Sequence, residues 1–200
     1  MSDNNYQAGS AVKCGALALL LSLLTACAGS LFKVKPAVAL PALPAAAKSA
    51  SAGGLTMRTT PLLTDEESQE LFEANLPLSG VLPVRVELSY DTGGVPLELK
   101  RARFLLHDGT GHEWKLLSPK QAGARILKAN DVYLYNPHSR RQFEEEFGAY
   151  GVDLKTPLTA AERRQGFLFF QTPGKEPVRS QGALILSVTG LPQPLEIHLN

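Results

Sequence analysis

Val84, Val86, Leu88 and Tyr90 alternate with Arg85, Glu87 and Ser89. A period of two places the apolar set on one face, as in a half-buried strand. Pro83 stands at its start, where a missing N–H is tolerated. Asp91, Thr92, Gly93 and Gly94 supply a turn, and Leu97 and Leu99 begin a return strand. The alternation then changes parity at Lys100 and Arg101, because Ala102, Phe104 and Leu106 continue it on the other face. A bulge there accounts for the slip. A second turn at 107–111 leads to a third strand over 112–117, which carries the only tryptophan, Trp114. These three strands are expected to form a meander. Further strands are expected over 166–171, 183–188 and 195–199, separated by Pro173-Gly174 and by Gly190-Leu191-Pro192.

Helical signals interrupt this pattern twice. Thr64 followed by Glu67 has the form of a capping box, with Asp65, Glu66 and Glu67 where the helix dipole favours negative charge. A short helix to about 74 follows, ended by Pro77 and Gly80. The interval 118–165 is long for a sheet connection. It holds a helical stretch near 119–129, an aromatic segment at 132–135 and a charged stretch over 139–147. Many short strands, Gly/Pro turns and no strand–helix–strand rhythm predict a mainly β domain over 55–200. The expected architecture is an antiparallel immunoglobulin-like β-sandwich with helical insertions around 118–165.

The N-terminal part obeys other rules. The apolar run over 15–26 is about 12 residues long, against about 20 for a membrane-spanning helix, and suits the apolar region of an export signal. After it come Leu24, Thr25, Ala26 and Cys27, a branched apolar residue, two small ones and cysteine. This quartet resembles the lipobox of bacterial lipoproteins. The resemblance implies a signal peptide over 1–26, cleavage before Cys27, and a covalent lipid on its sulfur. Acyl burial gives about 0.8 kcal/mol per CH₂, so two or three chains anchor firmly. With Cys14 removed and Cys27 acylated, the rest of the chain contains no thiol, as suits an oxidising compartment. Residue 28 is alanine; absence of aspartate there implies, by the same resemblance, the outer membrane facing the periplasm. Rich in Ala, Pro, Ser and Gly, 27–54 reads as a lipidated tether. The segments GVLPVRVELSYDTGG and RRQGFLFFQTPG resemble uncharacterised bacterial lipoproteins with such a sandwich domain, a likeness that implies no activity.

Composition narrows the functional classes. A formal net charge of +1, without basic stretches interleaved with aromatics, argues against nucleic acid as partner. No Gly-x-Ser-x-Gly elbow, zinc-binding H-E-x-x-H or phosphate loop occurs. His107, Asp108, His112 and Glu113 surround a turn that explains them by itself, and Glu144, Glu145 and Glu146 point in different directions on a helix. No catalytic residue, metal or dissociable cofactor is therefore assigned. An enzyme would need several of His107, His112, His138, Asp131 and Glu144 to meet in one cleft. A small-ligand or glycan carrier would show an apolar cavity or an exposed aromatic platform. Tyr133, Tyr135 and Tyr150 combine apolar area with a polar tip. With Arg140 and Arg141, and with Arg163 and Arg164 further on, they are the expected contacts for a protein partner in the envelope.

Overall fold

Eight antiparallel strands form one sheet in the order β1-β2-β3-β6-β5-β4-β7-β8. They are β1 (Lys48–Ala52), β2 (Leu55–Pro61), β3 (Val81–Tyr90), β4 (Arg103–His107), β5 (Glu113–Leu117), β6 (Arg163–Gln171), β7 (Ile185–Thr189) and β8 (Leu195–His198). Three helices accompany them: α1 (Asp65–Phe72), α2 (Pro119–Ala129) and α3 (Pro137–Gly148). The structure, a computed structural model, describes residues 37, 40–91, 94–135, 137–179 and 182–200. The expected signal peptide and Cys27 lie outside the described residues.

The sheet curls until its edges approach, and β1 lies alongside β8. No ladder joins them, but the Gly53 amide in the β1–β2 turn donates to Gln193 Oε1 in the β7–β8 turn at 3.0 Å. Inside this near-barrel, Leu82, Val84, Val86 and Leu88 of β3 pack with Phe104, Leu106, Trp114, Leu168 and Phe170. Leu55 and Met57 of β2 join the same core as Leu195 and Ile197 of β8, so curling lets strands at opposite ends of the sheet share one interior.

β6 explains how an outer layer is added. Its alternation sends Leu168 and Phe170 inward, while Phe167 and Phe169 enter a second core on the outer face. That core contains Phe72 from α1, Ala122, Ile126 and Leu127 from α2, and Phe143 and Phe147 from α3. Each fully buried phenylalanine contributes about 1.5–3 kcal/mol, and β6 thereby ties sheet to helices. Gly166 sits in the same strand because a Cβ there would lie 2.6 Å from the Val152 backbone.

Several expectations change. Mainly β, antiparallel structure is present, but hydrogen bonding runs through all eight strands as one sheet, and the division into two facing sheets of an immunoglobulin-like sandwich is not seen. The meander also fails: β4 pairs with β5, but β3 pairs with β2 and β6. The return strand at Leu97 and Leu99 is not built; Leu97 makes one isolated bridge to Leu158, and the parity change falls in a turn at Lys100 and Arg101.

The stretch expected to be tether through 54 belongs partly to the fold. Gly53 and Gly54, both at positive φ, close a two-residue turn that pairs β1 with β2. Before β1, Arg58 Nη2 donates to the Pro44 carbonyl at 3.1 Å, and Arg85 Nη2 donates to the Pro41 carbonyl. Leu43 is buried. Two strand arginines thus hold 41–44 as a strap across the outer face.

Candidate functional site

The outer layer contains a groove of about 700 Å³ between α2, α3 and the segment 132–135. Local sequence builds each wall. Ser118 caps α2: its hydroxyl accepts from the Gln121 amide at 3.3 Å, while Gln121 Oε1 accepts from the Ser118 amide at 2.9 Å. Pro119 occupies the first turn, where its missing donor costs nothing. Arg125 fastens the outer side of α2 by donating to the Ser79 carbonyl at 3.1 Å and the Lys175 carbonyl at 2.9 Å. Gly123 faces α3, and a Cβ there would come within 3.2 Å of the Phe143 ring. Lacking one, α2 and α3 approach closely, and the floor is formed by Ala124, Leu127, Phe143 and Phe147.

The rim is polar. Glu144 on α3 receives two cations, Lys120 Nζ at 3.5 Å from α2 and Arg140 Nε at 3.8 Å from the preceding turn of α3. Lys128 adds a third cation and pairs with no carboxylate among the described residues. In 132–135 the side chains alternate: Val132 and Leu134 pack against the outer core, while Tyr133 and Tyr135 turn outward. The two tyrosines are 68 % and 88 % exposed and stack with centroids 6.1 Å apart and planes at 28°. They stand at the mouth of the groove as an exposed aromatic platform.

Of the expected contact residues in the domain, Tyr133, Tyr135 and Arg140 come together at this groove. Arg141 is exposed but lies outside the groove lining. Tyr150 is a correction: it is 0 % exposed, packs on Phe72 at 4.8 Å and donates to the Leu71 carbonyl at 3.2 Å. Burial pushes its hydroxyl pKa up to about 12. Arg164 is a clamp for the preceding loop, donating to the carbonyls of Asp153, Thr156 and Pro157 and pairing with Glu162 at 2.6 Å. Arg163 is exposed at the start of β6. Sequence reasoning missed Lys120 and Lys128, whose spacing on a helix capped at Ser118 places both beside the same groove.

The candidate chemical residues are dispersed. Among His107, His112, His138, Asp131 and Glu144, only Glu144 lines the groove. Asp108 organises the β4–β5 turn: Oδ1 accepts from the Thr110 amide at 2.9 Å and the His112 amide at 3.0 Å, and Oδ2 accepts from Trp114 Nε1 at 3.2 Å. Burial alone raises the carboxyl pKa, but the donors from Thr110, Trp114 and His112 outweigh it and hold the group below the usual carboxylate range. Among the described residues no three His, Cys, Asp or Glu side chains are placed to share a metal ion. No described helix is long and apolar enough to cross a membrane.

A smaller hollow of about 450 Å³ lies between 116–119 and 148–155. Its carboxylate, Asp153, accepts from the Lys155 amide at 2.8 Å and the Thr156 amide at 3.2 Å, which accounts for it as a turn residue. No protein-family model, curated protein or solved structure matches the chain.

Proposed function

We propose that the chain is a lipid-anchored protein of the bacterial cell envelope, held through acylated Cys27, whose β domain is a non-catalytic binding or assembly-support module. The anchor rests on Leu24-Thr25-Ala26-Cys27 after a short apolar run, and on the lack of any other cysteine beyond Cys14. The outer membrane, facing the periplasm, is the proposed location. Binding is carried by one observation above all: a stacked, exposed tyrosine pair at the mouth of an apolar groove. Such rings present large contact area at low entropy cost, which is why tyrosine is enriched where proteins meet partners.

A second reading, a carrier of a small ligand, is favoured by the groove itself. Its volume falls within the roughly 300–1,000 Å³ of ligand sites, and its lining, an apolar floor with a few charged groups at the rim, has their composition.

The anchor is tested by expressing the full chain beside Cys27→Ser in a bacterium supplied with labelled fatty acid, then measuring intact mass. A mature chain starting at Cys27 with acyl mass, absent in the variant, supports the reading. A soluble, unprocessed and unlabelled chain overturns it. Binding is tested by placing a photoreactive residue at 133 or 135. One discrete crosslinked species, abolished by Arg140→Glu, supports the groove face as the contact, and a diffuse background refutes it.

A further inference from the structure

We infer that the groove between α2 and α3 takes an anionic amphiphile, its hydrocarbon chain on the floor and its acidic head at the rim. The inference rests on the reading of this groove as the binding site and adds the chemistry of its occupant.

The floor decides the body of the ligand. Ala124, Leu127, Phe143 and Phe147 offer no side-chain donor or acceptor, and helix backbone groups are already bonded within their helices. A sugar or an extended peptide laid there would lose its hydrogen bonds to water without replacement, at about 1–3 kcal/mol for each group left unpaired. A hydrocarbon chain gives up no hydrogen bond there and gains burial.

The rim decides the head. Lys120, Lys128 and Arg140 face a single carboxylate, Glu144, which two of them already share. An added anion offsets part of the positive excess, whereas a neutral head leaves it in place and a cationic one increases it. The exposed pair Tyr133 and Tyr135 fits the same occupant, since tyrosine settles where apolar and aqueous phases meet, ring against chain and hydroxyl in water. The acidic head is a carboxylate or a phosphate, so the source is a free fatty acid or an anionic phospholipid.

The test uses the full chain in a bacterium fed a diazirine-bearing fatty acid, irradiated as whole membranes and mapped by peptide mass spectrometry. Ala124→Trp fills the floor from an exposed helix position, and Lys128→Glu with Arg140→Glu reverses the rim; thermal unfolding confirms that both variants fold. The expected result is adducts concentrated in peptides from 119–147, falling at least tenfold in Ala124→Trp and several-fold in the charge-reversed chain. Adduct mass assigns the source, phospholipid or free acid. Adducts scattered over the chain, absent from 119–147, or unchanged in Ala124→Trp overturn the inference. The Cys27 peptide, read in the same spectra, reports the anchor separately. A bare Cys27 with groove adducts intact sinks the anchor alone. Groove adducts absent beside a lipidated Cys27 sink the amphiphile alone, and the crosslinker at 133 or 135 then decides whether the groove binds anything else.

Discussion

At the scale of single residues, Asp108 shows why acidic and imidazole groups near a turn were not a reactive cluster. Its oxygens satisfy two backbone amides, the Thr110 hydroxyl and the indole N–H of Trp114, a residue 1 % exposed. Asp108→Ala strands that buried indole donor and opens the turn, so a loss of about 1–3 kcal/mol is expected in urea unfolding at neutral pH. The pH dependence has a definite sign. Because the folded-state pKa is lowered, the stabilisation is complete above the unfolded aspartate value near 3.9 and drains away as pH falls toward the depressed one. The difference between wild type and Asp108→Ala should stay level from pH 8 to about 5 and narrow below about 4. A difference independent of pH down to 2.5 contradicts the hydrogen-bonded carboxylate. Tyr150 carries the opposite lesson about reading surfaces: an aromatic in a polar insertion looked like a contact residue, yet Phe72 and the Leu71 carbonyl hold it inside.

Elements were legible where their signals are local. Thr64 with Glu67, and Ser118 with Pro119, mark the starts of α1 and α2 because a cap is decided within four residues. The inward parity of β3 was equally plain. What escaped is what depends on distant partners. β1 reads KSASA, with no large apolar residue, and becomes a strand only because Gly53 and Gly54 turn it onto β2; that glycine pair was the available signal. The pairing of β3 with β6 spans the whole insertion, and nothing in either strand names the other. Two element-level predictions follow from close contacts. Gly166→Ala drives a Cβ into the Val152 backbone, and since backbone cannot swing aside as a side-chain tip does, a loss of about 1–3 kcal/mol is expected, with the midpoint of thermal unfolding as the readout. Arg85 is 6 % exposed, its Nε has no partner among the described residues, and burial lowers its pKa, with Glu87 partly opposing. Arg85→Met keeps the volume and removes that unpaired donor, so global stability should change by less than about 1 kcal/mol. The strap should nevertheless loosen: amide exchange over 42–47 is expected to rise while β2 and β3 stay protected. Unchanged exchange there assigns the strap to Arg58 alone.

For the whole molecule, the decisive feature is that one sheet has a core on each face. The interior core holds the curled strands together, and the outer core fastens three helices to β3, β5 and β6. Phe167 belongs to the outer core yet sits on the strand that links both. Tyr133 and Tyr135, by contrast, stand beyond either core. The fold and the groove face should therefore respond separately to mutation. Phe167→Ala removes a ring that touches Phe72, Tyr150 and Phe169, and about 3–5 kcal/mol should be lost. The pair Tyr133→Ser with Tyr135→Ser should shift stability by no more than about 0.5 kcal/mol per site, as for ordinary surface changes. Hydrogen exchange adds the spatial order. Amides of β3 and β6, paired on both sides, should open only with global unfolding, whereas β1 and β8, the edges joined through Gly53 and Gln193, should open first. If the tyrosine pair instead costs as much as Phe167→Ala, the aromatic platform is part of the support of the fold, and its exposure no longer argues for a ligand.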